Sequence, residues 1–455
     1  MPINIVIEQL KNKNILLLGF GREGKSSYDF IRKHLSNAPI TIADKNPVTE
    51  KSIFNDPYTT LITGENYLDT LADYDIVIKS PGISLKNQLS TIDTSKISSQ
   101  TDLFLQAFAP QCIGITGTKG KSTTTSLLSH ILQYVGDDVL MAGNIGLPVF
   151  EIMGNIKSRT KIVLELSSHQ LEFIHKSPHI SILLNLFEEH LDHYRSFLDY
   201  QQAKFNIARY QSESDYFIYN TNDRLILDLL QNNLLSSNIV GFSSAENPLS
   251  ASYIDDSYFC FSKNGQVDKF VKITDKFPLK GEHNLLNTVA VIAALQFMDI
   301  INLPKIEEAI YSFKGLPHRL EFVGKVNEIF FYNDSISTIP EATIAAINAL
   351  KDVNTLILGG FDRGIDYQLL VDFMELSCVE NLIFTGEAGK RMMHLFRDSK
   401  KKKLYFKTSY PEIVELAKQC TQKGKICLLS PAAASYDQFQ NFEHRGNTFK
   451  NLVVS

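Results

Sequence analysis

A glycine-rich turn at residues 114–123, GITGTKGKST, has the composition of a phosphate-binding loop. The apolar residues before it are typical of a buried strand, and apolar residues recur at helical spacing after it. Backbone N–H groups and the positive end of a helix dipole favour a bound phosphate at such a turn. Lys121 would reach the terminal phosphates of a nucleotide, and the hydroxyl of Ser122 would be a ligand for Mg²⁺.

The turn departs from the strict Walker pattern, which requires a glycine where Ile115 stands. Gly117 and Gly120 must therefore form the bend. An ordinary glycine-rich connection between a strand and a helix is the alternative, but the flanking elements favour a nucleotide. The residues predicted to bind it are Gly117, Thr118, Lys119, Gly120, Lys121, Ser122 and Thr123.

Two later segments offer ligands for the cation that a nucleotide requires. Glu165 ends the apolar run KIVLE, so its carboxylate is predicted at the carboxyl edge of the sheet, beside the glycine turn. His190 lies in FEEHLDHY, after a further predicted strand. A solvated carboxylate at the rim of the sheet and a hydrogen-bonding histidine in a polar loop are the simpler alternatives.

A second glycine turn lies near the N-terminus. Gly19, Gly21 and Gly24 follow an apolar run, and Asp44 ends the next predicted strand, twenty residues after Gly24. This spacing is typical of dinucleotide-binding folds. An NAD(P)-dependent enzyme is therefore an alternative function, although no hydride-transfer site is evident in the sequence.

Apolar strands alternate with helical segments along the chain, which predicts an α/β fold with parallel sheets covered on both faces. The length of 455 residues fits about three domains. Because the pattern restarts near residues 109 and 315, we predict domains at 1–108, 109–314 and 315–455.

The composition also limits the possible partners. A net charge of −5 argues against a surface that binds nucleic acid. No apolar run approaches the roughly 18–20 residues that span a bilayer, so membrane insertion is not expected. The five cysteines include no CxxC pair, which fits a reducing cytoplasm.

Eight blocks of sequence occur in the order found in one enzyme family. They are GTKGKSTT, GNIGLP at 143–148, LELSSHQLE at 164–172, EEHLDHY with YQQAK at 200–204, GEHNLLN at 281–287, LPHRLE at 316–321, YNDS at 332–335 and SPAAASYDQFQNFEHRG at 430–446. The chain resembles the ATP-dependent Mur ligases of peptidoglycan precursor synthesis over essentially its whole length. The resemblance implies an N-terminal Rossmann-like domain that binds a UDP substrate, a central P-loop domain that binds ATP, and a C-terminal Rossmann-like domain that binds an amino acid.

In the resembled family, ATP phosphorylates the carboxylate of the UDP-linked substrate, and the amine of the incoming amino acid attacks the acyl phosphate. The resemblance implies that Lys121 holds the transferred phosphoryl group. It makes Ser122 and Glu165 ligands of one Mg²⁺ and His190 a ligand of a second. Lys204 matches a lysine that CO₂ converts to a carbamate, whereas its residue type alone would indicate an exposed helix lysine.

The remaining site residues follow from the same resemblance. The implied nucleotide contacts are Asn287, Arg319 and Asp334. The implied contacts to the UDP substrate are Arg22, Glu23, Asp44, Ser80, Gly82 and Asn144. The implied contacts to the amino acid are Thr338, Arg363, Ser435 and Phe442.

The last block is most similar to the family members that add glutamate to UDP-N-acetylmuramoyl-L-alanine, and it favours D-glutamate. L-glutamate is the alternative, because the family's Asp-Ser-Lys-Ala-Thr reads Asp-Ser-Ile-Ser-Thr here and Ile336 replaces a lysine. Arg363 would supply the missing cation, since its guanidinium can hold a carboxylate with two donors. An inactive nucleotide-binding relative is disfavoured because the catalytic residues are present, and a monomer is expected.

Overall fold

The computed structural model describes residues 2–263, 266–279, 281–298, 303–397, 399 and 401–455. In this part of the chain the strands form three sheets of five, nine and six strands, which confirms the predicted α/β fold. The chain divides into two compact units. The first comprises Met1–Phe277 and Glu282–Ser312, and the second comprises Pro278–Gly281 and Phe313–Ser455. None of the described helices is long and apolar enough to cross a membrane.

The first sheet is parallel throughout. Its strands are β1 (Ile15–Leu18), β2 (Ile40–Asp44), β3 (Thr59–Thr63), β4 (Ile76–Lys79) and β5 (Ile97–Ser98), and its helices are α1 (Ile3–Leu10), α2 (Arg22–His34), α3 (Lys51–Phe54) and α4 (Gln100–Phe108). The strand order is β3-β2-β1-β4-β5. Every residue of β1 is apolar and buried, as expected of a parallel strand covered on both faces.

The second sheet, in the same compact unit, is larger and mixed. Its strands are β6 (Cys112–Thr116), β7 (Val139–Gly143), β8 (Lys161–Glu165), β9 (Ile180–Leu183), β10 (Tyr216–Asn220), β11 (Asn238–Phe242), β12 (Ser250–Asp255), β13 (Tyr258–Lys263) and β14 (Gln266–Lys272). Its helices are α5 (Lys121–Val135), α6 (Val149–Ile152), α7 (Ser168–Leu171), α8 (Phe197–Arg209), α9 (Arg224–Asn232), α10 (Glu282–Leu295) and α11 (Leu303–Ser312). The strand order is β14-β13-β12-β11-β10-β9-β6-β8-β7, with antiparallel pairing only from β12 to β14 among the described strands.

The third sheet forms the second compact unit with its own helices. Its strands are β15 (Glu321–Val326), β16 (Ile329–Asn333), β17 (Val353–Gly359), β18 (Asn381–Thr385), β19 (Lys403–Phe406) and β20 (Ile426–Leu429). Its helices are α12 (Pro340–Leu350), α13 (Gln368–Leu376), α14 (Gly386–Leu395), α15 (Tyr410–Cys420) and α16 (Phe442–Val454). The strand order is β15-β16-β20-β17-β18-β19, and β15 pairs antiparallel with β16.

Continuous apolar runs correctly identified several central strands, among them β6, β8 and β9. Asp44 and Glu165 are the last residues of β2 and β8, as predicted. The strands that the sequence did not predict include β10 and β11, which are parallel and lie inside the second sheet, as well as β12 to β14. Most of β14 is exposed, so its sequence lacks the apolar run that marks a strand buried on both faces.

Gly120 closes the turn between β6 and α5, and two constraints require a glycine there. Its φ of +86° lies in the left-handed region, and an added Cβ would lie 2.6 Å from Oδ1 of Asn287 on α10. Gly136, at the other end of α5, has a φ of +102° but no neighbour within 4 Å of its Cβ position. A side chain at Gly120 would therefore meet both backbone strain and steric contact, whereas one at Gly136 would meet backbone strain alone.

Replacing Gly120 with alanine should destabilise the first compact unit more than the same change at Gly136. Both variants force an L-residue into the left-handed region, at a cost of about 1–2 kcal/mol. Only Gly120→Ala adds the collision with Asn287, and it should also weaken ADP binding. Urea unfolding followed by far-UV circular dichroism would compare the free energies of unfolding of the two variants. Equal losses of stability would contradict the role of the Asn287 contact.

Candidate active site

The phosphate loop is anchored to the residues that follow β9. The N–H of Thr118 donates to the carbonyl of Asn185 at 2.9 Å, and the N–H of Lys119 donates to the Asn185 side chain at 2.8 Å. The Thr118 hydroxyl lies 2.8 Å from the hydroxyl of Tyr200 on α8. The amides of Thr118 and Lys119 are thus already bonded within the protein, although both residues were predicted to bind the nucleotide.

The start of α5 offers the donors that a phosphate would use. The first intrahelical bond runs from the N–H of Thr124 to the carbonyl of Gly120 at 3.0 Å. The amides of Ser122 and Thr123 precede that bond, and a helix provides no carbonyl partner for such first-turn amides. Lys121, Ser122 and Thr123 therefore occupy the positions that favour an anion.

Two lysine side chains converge on the phosphate loop. Nζ of Lys121 donates to the carbonyls of Gly117 and Thr118 at 2.9 and 3.0 Å. Nζ of Lys204, on α8, donates to the same Gly117 carbonyl at 2.8 Å. Lys204 is only 2% exposed, so the alternative of an exposed helix lysine is wrong. Burial, reinforced by the charge of Lys121, holds the pKa of Lys204 well below its usual range.

Glu165 presents a buried carboxylate with an unused oxygen. Oε1 accepts a hydrogen bond of 2.7 Å from the side chain of Asn144, which lies just after β7. Oε2 is buried and has no hydrogen-bond partner among the described residues. Because an uncompensated buried carboxylate oxygen is costly, this group fits a cation.

A magnesium ion suits this donor set. No group of three or more histidine, cysteine, aspartate or glutamate side chains in the described ranges is arranged to hold a metal by itself. Mg²⁺ usually binds one or two protein carboxylates and completes its shell with phosphate oxygens and water. The Glu165 carboxylate and the Ser122 hydroxyl, in the first turn of α5, are therefore of the donor types that suit Mg²⁺ arriving with a nucleotide.

His190 lies in the loop after β9 with a left-handed φ of +61°. Its side chain is half-buried, and its ring centroid lies 4.7 Å from the ring of His169 on α7. Burial lowers the pKa of His190, and the charges of Lys204 and Lys121 lower it further despite Glu189. A lower pKa favours the neutral imidazole, which is the form that binds a metal.

The first glycine turn has the close packing expected of a pyrophosphate-binding turn. A Cβ on Gly24 would lie 2.1 Å from the carbonyl oxygen of Gly19, and the hydroxyl of Ser80 donates to that carbonyl at 3.0 Å. Asp44 accepts backbone hydrogen bonds of 2.7 Å from Phe20 and from Asn46. Asp44 therefore holds the turn itself, and Gly82, after β4, is exposed.

The first glycine turn contacts the carboxyl edge of the second sheet within the same compact unit. Arg22 donates from Nη2 to the carbonyl of Gly146 at 2.8 Å. The side chain of Gln170 donates to Oε1 of Glu23 at 2.8 Å, and burial raises the pKa of Glu23. Arg22, Glu23 and Asn144 are thereby brought to the same edge as Glu165. Gln170 was not among the predicted site residues, although it lies within the block LELSSHQLE.

Asn287 packs against the second glycine turn. It is buried on α10, and its Oδ1 is the atom that an added Cβ on Gly120 would meet. Its Nδ2 lies 3.3 Å from Oδ1 of Asn284. The predicted nucleotide contact is therefore placed beside the N-terminus of α5.

The second compact unit contains a separate group of predicted residues. Asp334 follows β16 and accepts from the Ser430 hydroxyl at 2.7 Å and from the N–H of Leu320 at 3.2 Å. Burial raises the pKa of Asp334 to about 6. Its carboxylate therefore braces the loops at the end of this sheet. Arg319 precedes Leu320 and lowers that pKa by its charge, but less than burial raises it.

The predicted amino-acid contacts lie at the same end of the third sheet. Nη2 of Arg363 donates to the carbonyl of Thr338 at 3.0 Å. Ser435 is buried after β20, and Phe442 begins α16 with its carbonyl accepting from the Ser335 hydroxyl at 2.8 Å. These contacts place Arg363 beside the segment in which Ile336 replaces the family lysine.

Arg445 is a structural residue that the sequence did not reveal. It is 1% exposed and binds the Ser335 hydroxyl and carbonyl at 2.9 and 2.8 Å. It also donates to the carbonyls of Ala433 and Ala434 at 3.0 and 3.1 Å. One buried guanidinium thus joins the segments that carry Thr338 and Ser435. The only signal for this role in the sequence is that Arg445 lies within the block at 430–446.

Comparison with known proteins gives a consistent result. The family model for the Mur ligase middle domain matches residues 115–295. The UDP-N-acetylmuramoylalanine--D-glutamate ligase of Acetivibrio thermocellus is 31% identical, with 100% of this chain and 98% of the relative covered. The enzyme of the same name from Oenococcus oeni is 33% identical, with 97% of each chain covered.

Solved structures share the fold at lower identity. MurF from Acinetobacter baumannii superposes with a TM-score of 0.60 at 17% identity, covering 94% of this chain and 88% of that one. The UDP-N-acetylmuramate-alanine ligase MurC from Thermotoga maritima superposes with a TM-score of 0.56 at 19% identity, covering 97% of this chain and 99% of that one. The full-length similarity to curated relatives above 30% identity, together with the shared fold, shows that the chain belongs to the Mur ligase family.

Proposed function

We propose that this protein is an ATP-dependent ligase that joins D-glutamate to UDP-N-acetylmuramoyl-L-alanine in peptidoglycan precursor synthesis. The names of the full-length relatives support the substrate pair. One observation carries the chemistry: Lys121 and Lys204 share the carbonyl of Gly117 at the start of a phosphate loop. Full-length similarity to ligases also favours this function over an NAD(P)-dependent enzyme.

The reaction must make a carboxylate electrophilic. A carboxylate oxygen attacks the γ-phosphorus of ATP, ADP leaves, and the carboxylate becomes an acyl phosphate. The amine of glutamate then attacks the carbonyl carbon, loses a proton, and the C–O bond to phosphate breaks. The protein's task is to align the reactants and neutralise crowded negative charge. Lys121 and the first-turn amides of α5 are placed to hold the transferred phosphoryl group.

Magnesium would be held by Ser122 and Glu165, and a second ion by His190 and a carbamylated Lys204. When bound, Mg²⁺ neutralises charge on the phosphoryl oxygens. The unused Oε2 of Glu165 supports the first assignment. The lowered pKa of His190 supports the second, because it leaves a ring nitrogen free to bind a metal.

The environment of Lys204 favours reaction with CO₂. Only the unprotonated amine can add to CO₂, and burial beside Lys121 lowers the pKa of Lys204. The addition forms an N–C bond and releases one proton to solvent, which converts the neutral amine into a carbamate anion. That anion would be stabilised by Lys121 and could bind a cation.

Thr338, Arg363, Ser435 and Phe442 form the proposed glutamate site, and Arg319 and Asp334 remain proposed nucleotide contacts. The hydrogen bond from Arg363 to Thr338 supports the use of this arginine, because it fixes a guanidinium beside the segment that lacks the family lysine. Arg363 would then bind a carboxylate of glutamate. The monomeric state, the cytoplasmic location and the three domain boundaries stay predictions.

The substrate pair can be tested directly. Purified protein with ATP, Mg²⁺ and UDP-N-acetylmuramoyl-L-alanine should release phosphate and form a product with the mass of the glutamate adduct when D-glutamate is present. Reactions with L-glutamate and without amino acid are the controls. Product with L-glutamate alone would support the alternative that Ile336 suggests, and no product with either isomer would contradict the proposed function.

Lys204→Ala should lower kcat by about 100-fold or more, the magnitude typical of losing an electrostatic catalytic group. Acetate or formate should restore part of the activity, because a small carboxylate can occupy the position of the lost carbamate. Lys157→Ala, which changes an exposed lysine, is the matched control and should remain active without rescue. Full activity of Lys204→Ala would show that carbamylation is not required.

Arg363→Ala should raise the KM for glutamate by about 10- to 100-fold, as expected from losing a charge-assisted hydrogen-bond pair. The KM for ATP should change much less. Arg363→Lys retains the charge but loses the second donor, so its KM for glutamate should be intermediate. Steady-state kinetics with each substrate varied in turn provide the measurement, and an unchanged KM for glutamate would remove Arg363 from the site.

A further inference from the structure

Two segments of the first compact unit are bonded to each other at several points. We define residues 80–86, which follow β4, as the first-sheet segment and residues 190–195 as the histidine loop. The hydroxyl of Ser84 donates to the carbonyl of His193 at 2.6 Å. Nε of Arg195 donates to the carbonyl of Lys86 at 2.6 Å. The first acceptor lies on the histidine loop and the second on the first-sheet segment, so each segment holds the backbone of the other.

A buried ion pair strengthens the same connection. Oε2 of Glu172 lies 3.2 Å from Nζ of Lys79, the last residue of β4. The same oxygen lies 3.1 Å from Nε2 of His193. The side chains of Lys79, Glu172 and His193 are 2%, 12% and 6% exposed, so the contacts are little weakened by solvent. Glu172 thus joins the end of β4 to the histidine loop.

Within the histidine loop, the position of His193 affects the position of His190. The ring of His193 lies 4.1 Å from the ring of His169, and the ring of His169 lies 4.7 Å from that of His190. The N–H of His193 also donates to the carbonyl of His190 at 3.0 Å. A shift of His193 would therefore move His190 relative to the phosphate loop.

The other end of the first-sheet segment touches the first glycine turn. Ser80 donates to the carbonyl of Gly19, and Ser80 and Gly82 are proposed contacts of the UDP substrate. Ser84 and Lys86, which bond to the histidine loop, follow Ser80 by only four and six residues. The segment is short enough for a ligand at one end to alter the position of the other.

We propose that Ser84 and Glu172 are positioning residues that couple the UDP-substrate site to the nucleotide site. Binding of the UDP substrate fixes the first-sheet segment, the segment fixes the histidine loop, and the loop places His190 beside the phosphate loop. The UDP substrate therefore increases the affinity for nucleotide, and by linkage the nucleotide increases the affinity for the UDP substrate. This inference rests on the proposed function, which supplies the two ligands.

The coupling is measured as a ratio of dissociation constants. Isothermal titration of ADP with Mg²⁺, with and without saturating UDP-N-acetylmuramoyl-L-alanine, should give a ratio of about 5–150 in the natural protein, the usual range for coupled sites. Ser84→Ala and Glu172→Gln should lower that ratio at least fivefold or bring it to 1. The affinity of the substrate-free protein for ADP should stay within twofold, which a general loss of structure would not produce.

Asp137→Asn is the matched control. Asp137 pairs with Lys161 at 2.7 Å in a partly buried contact at the opposite end of β8 from Glu165, so its loss should leave the coupling ratio unchanged. Glu172→Gln leaves Lys79 buried without its partner and can reduce folding. Ser84→Ala removes one hydroxyl and no charge, so it keeps the test decisive if Glu172→Gln fails to fold.

A ratio near 1 in the natural protein, or an unchanged ratio in Ser84→Ala, would overturn the proposal. Complete failure to bind the UDP substrate would instead contradict the proposed function. Hydrogen exchange then tests the positioning contacts without any ligand: peptides covering the histidine loop should exchange faster in Ser84→Ala, and peptides covering β6 should not change. Unchanged exchange in the histidine loop would also overturn the proposal.

Discussion

Two lysine ammonium groups compete for one carbonyl oxygen at the phosphate loop, and this crowding sets the chemistry of the site. Lys121 and Lys204 both lie within hydrogen-bond distance of the Gly117 carbonyl. Two positive charges in a buried place raise the free energy of the protonated state, and Lys204, the more buried group, has its pKa lowered. An unprotonated amine next to a fixed cation is a suitable precursor of a carbamate. The charge of Lys121 thus favours the uncharged form of Lys204.

The two glycine turns solve the same geometric problem in different ways. At the first, Gly24 lies so close to the Gly19 carbonyl that any side chain would collide with backbone. At the second, Gly120 combines a left-handed φ with contact against Asn287. Both turns lead into the N-terminus of a helix, α2 or α5, where a phosphate is favoured. The pyrophosphate of one substrate and the phosphates of a nucleoside triphosphate would thus both be bound by a glycine turn at a helix N-terminus.

Buried polar groups connect these turns within the first compact unit. The bonds of Arg22 and Glu23 reach the edge of the second sheet, and Glu172 joins Lys79 to His193. Breaking such a buried pair leaves a charge without compensation, so the arrangement is held firmly. The same reasoning applies to Arg445 in the second unit, where one guanidinium holds two loops through four hydrogen bonds.

The sequence by itself determined the α/β fold, several central strands and the phosphate loop, because continuous apolar runs, glycine turns and helical periodicity are local patterns. It also placed Asp44 and Glu165 at strand ends, since a carboxyl edge follows from strand direction. Strands β10 to β14 were not predicted, and of these β14 is mostly exposed and lacks an apolar run. Only the tertiary structure decided that Lys204 is buried, that Asn287 packs on Gly120 and that Glu172 links Lys79 to His193. These properties depend on contacts between residues far apart in the chain, which no local pattern records.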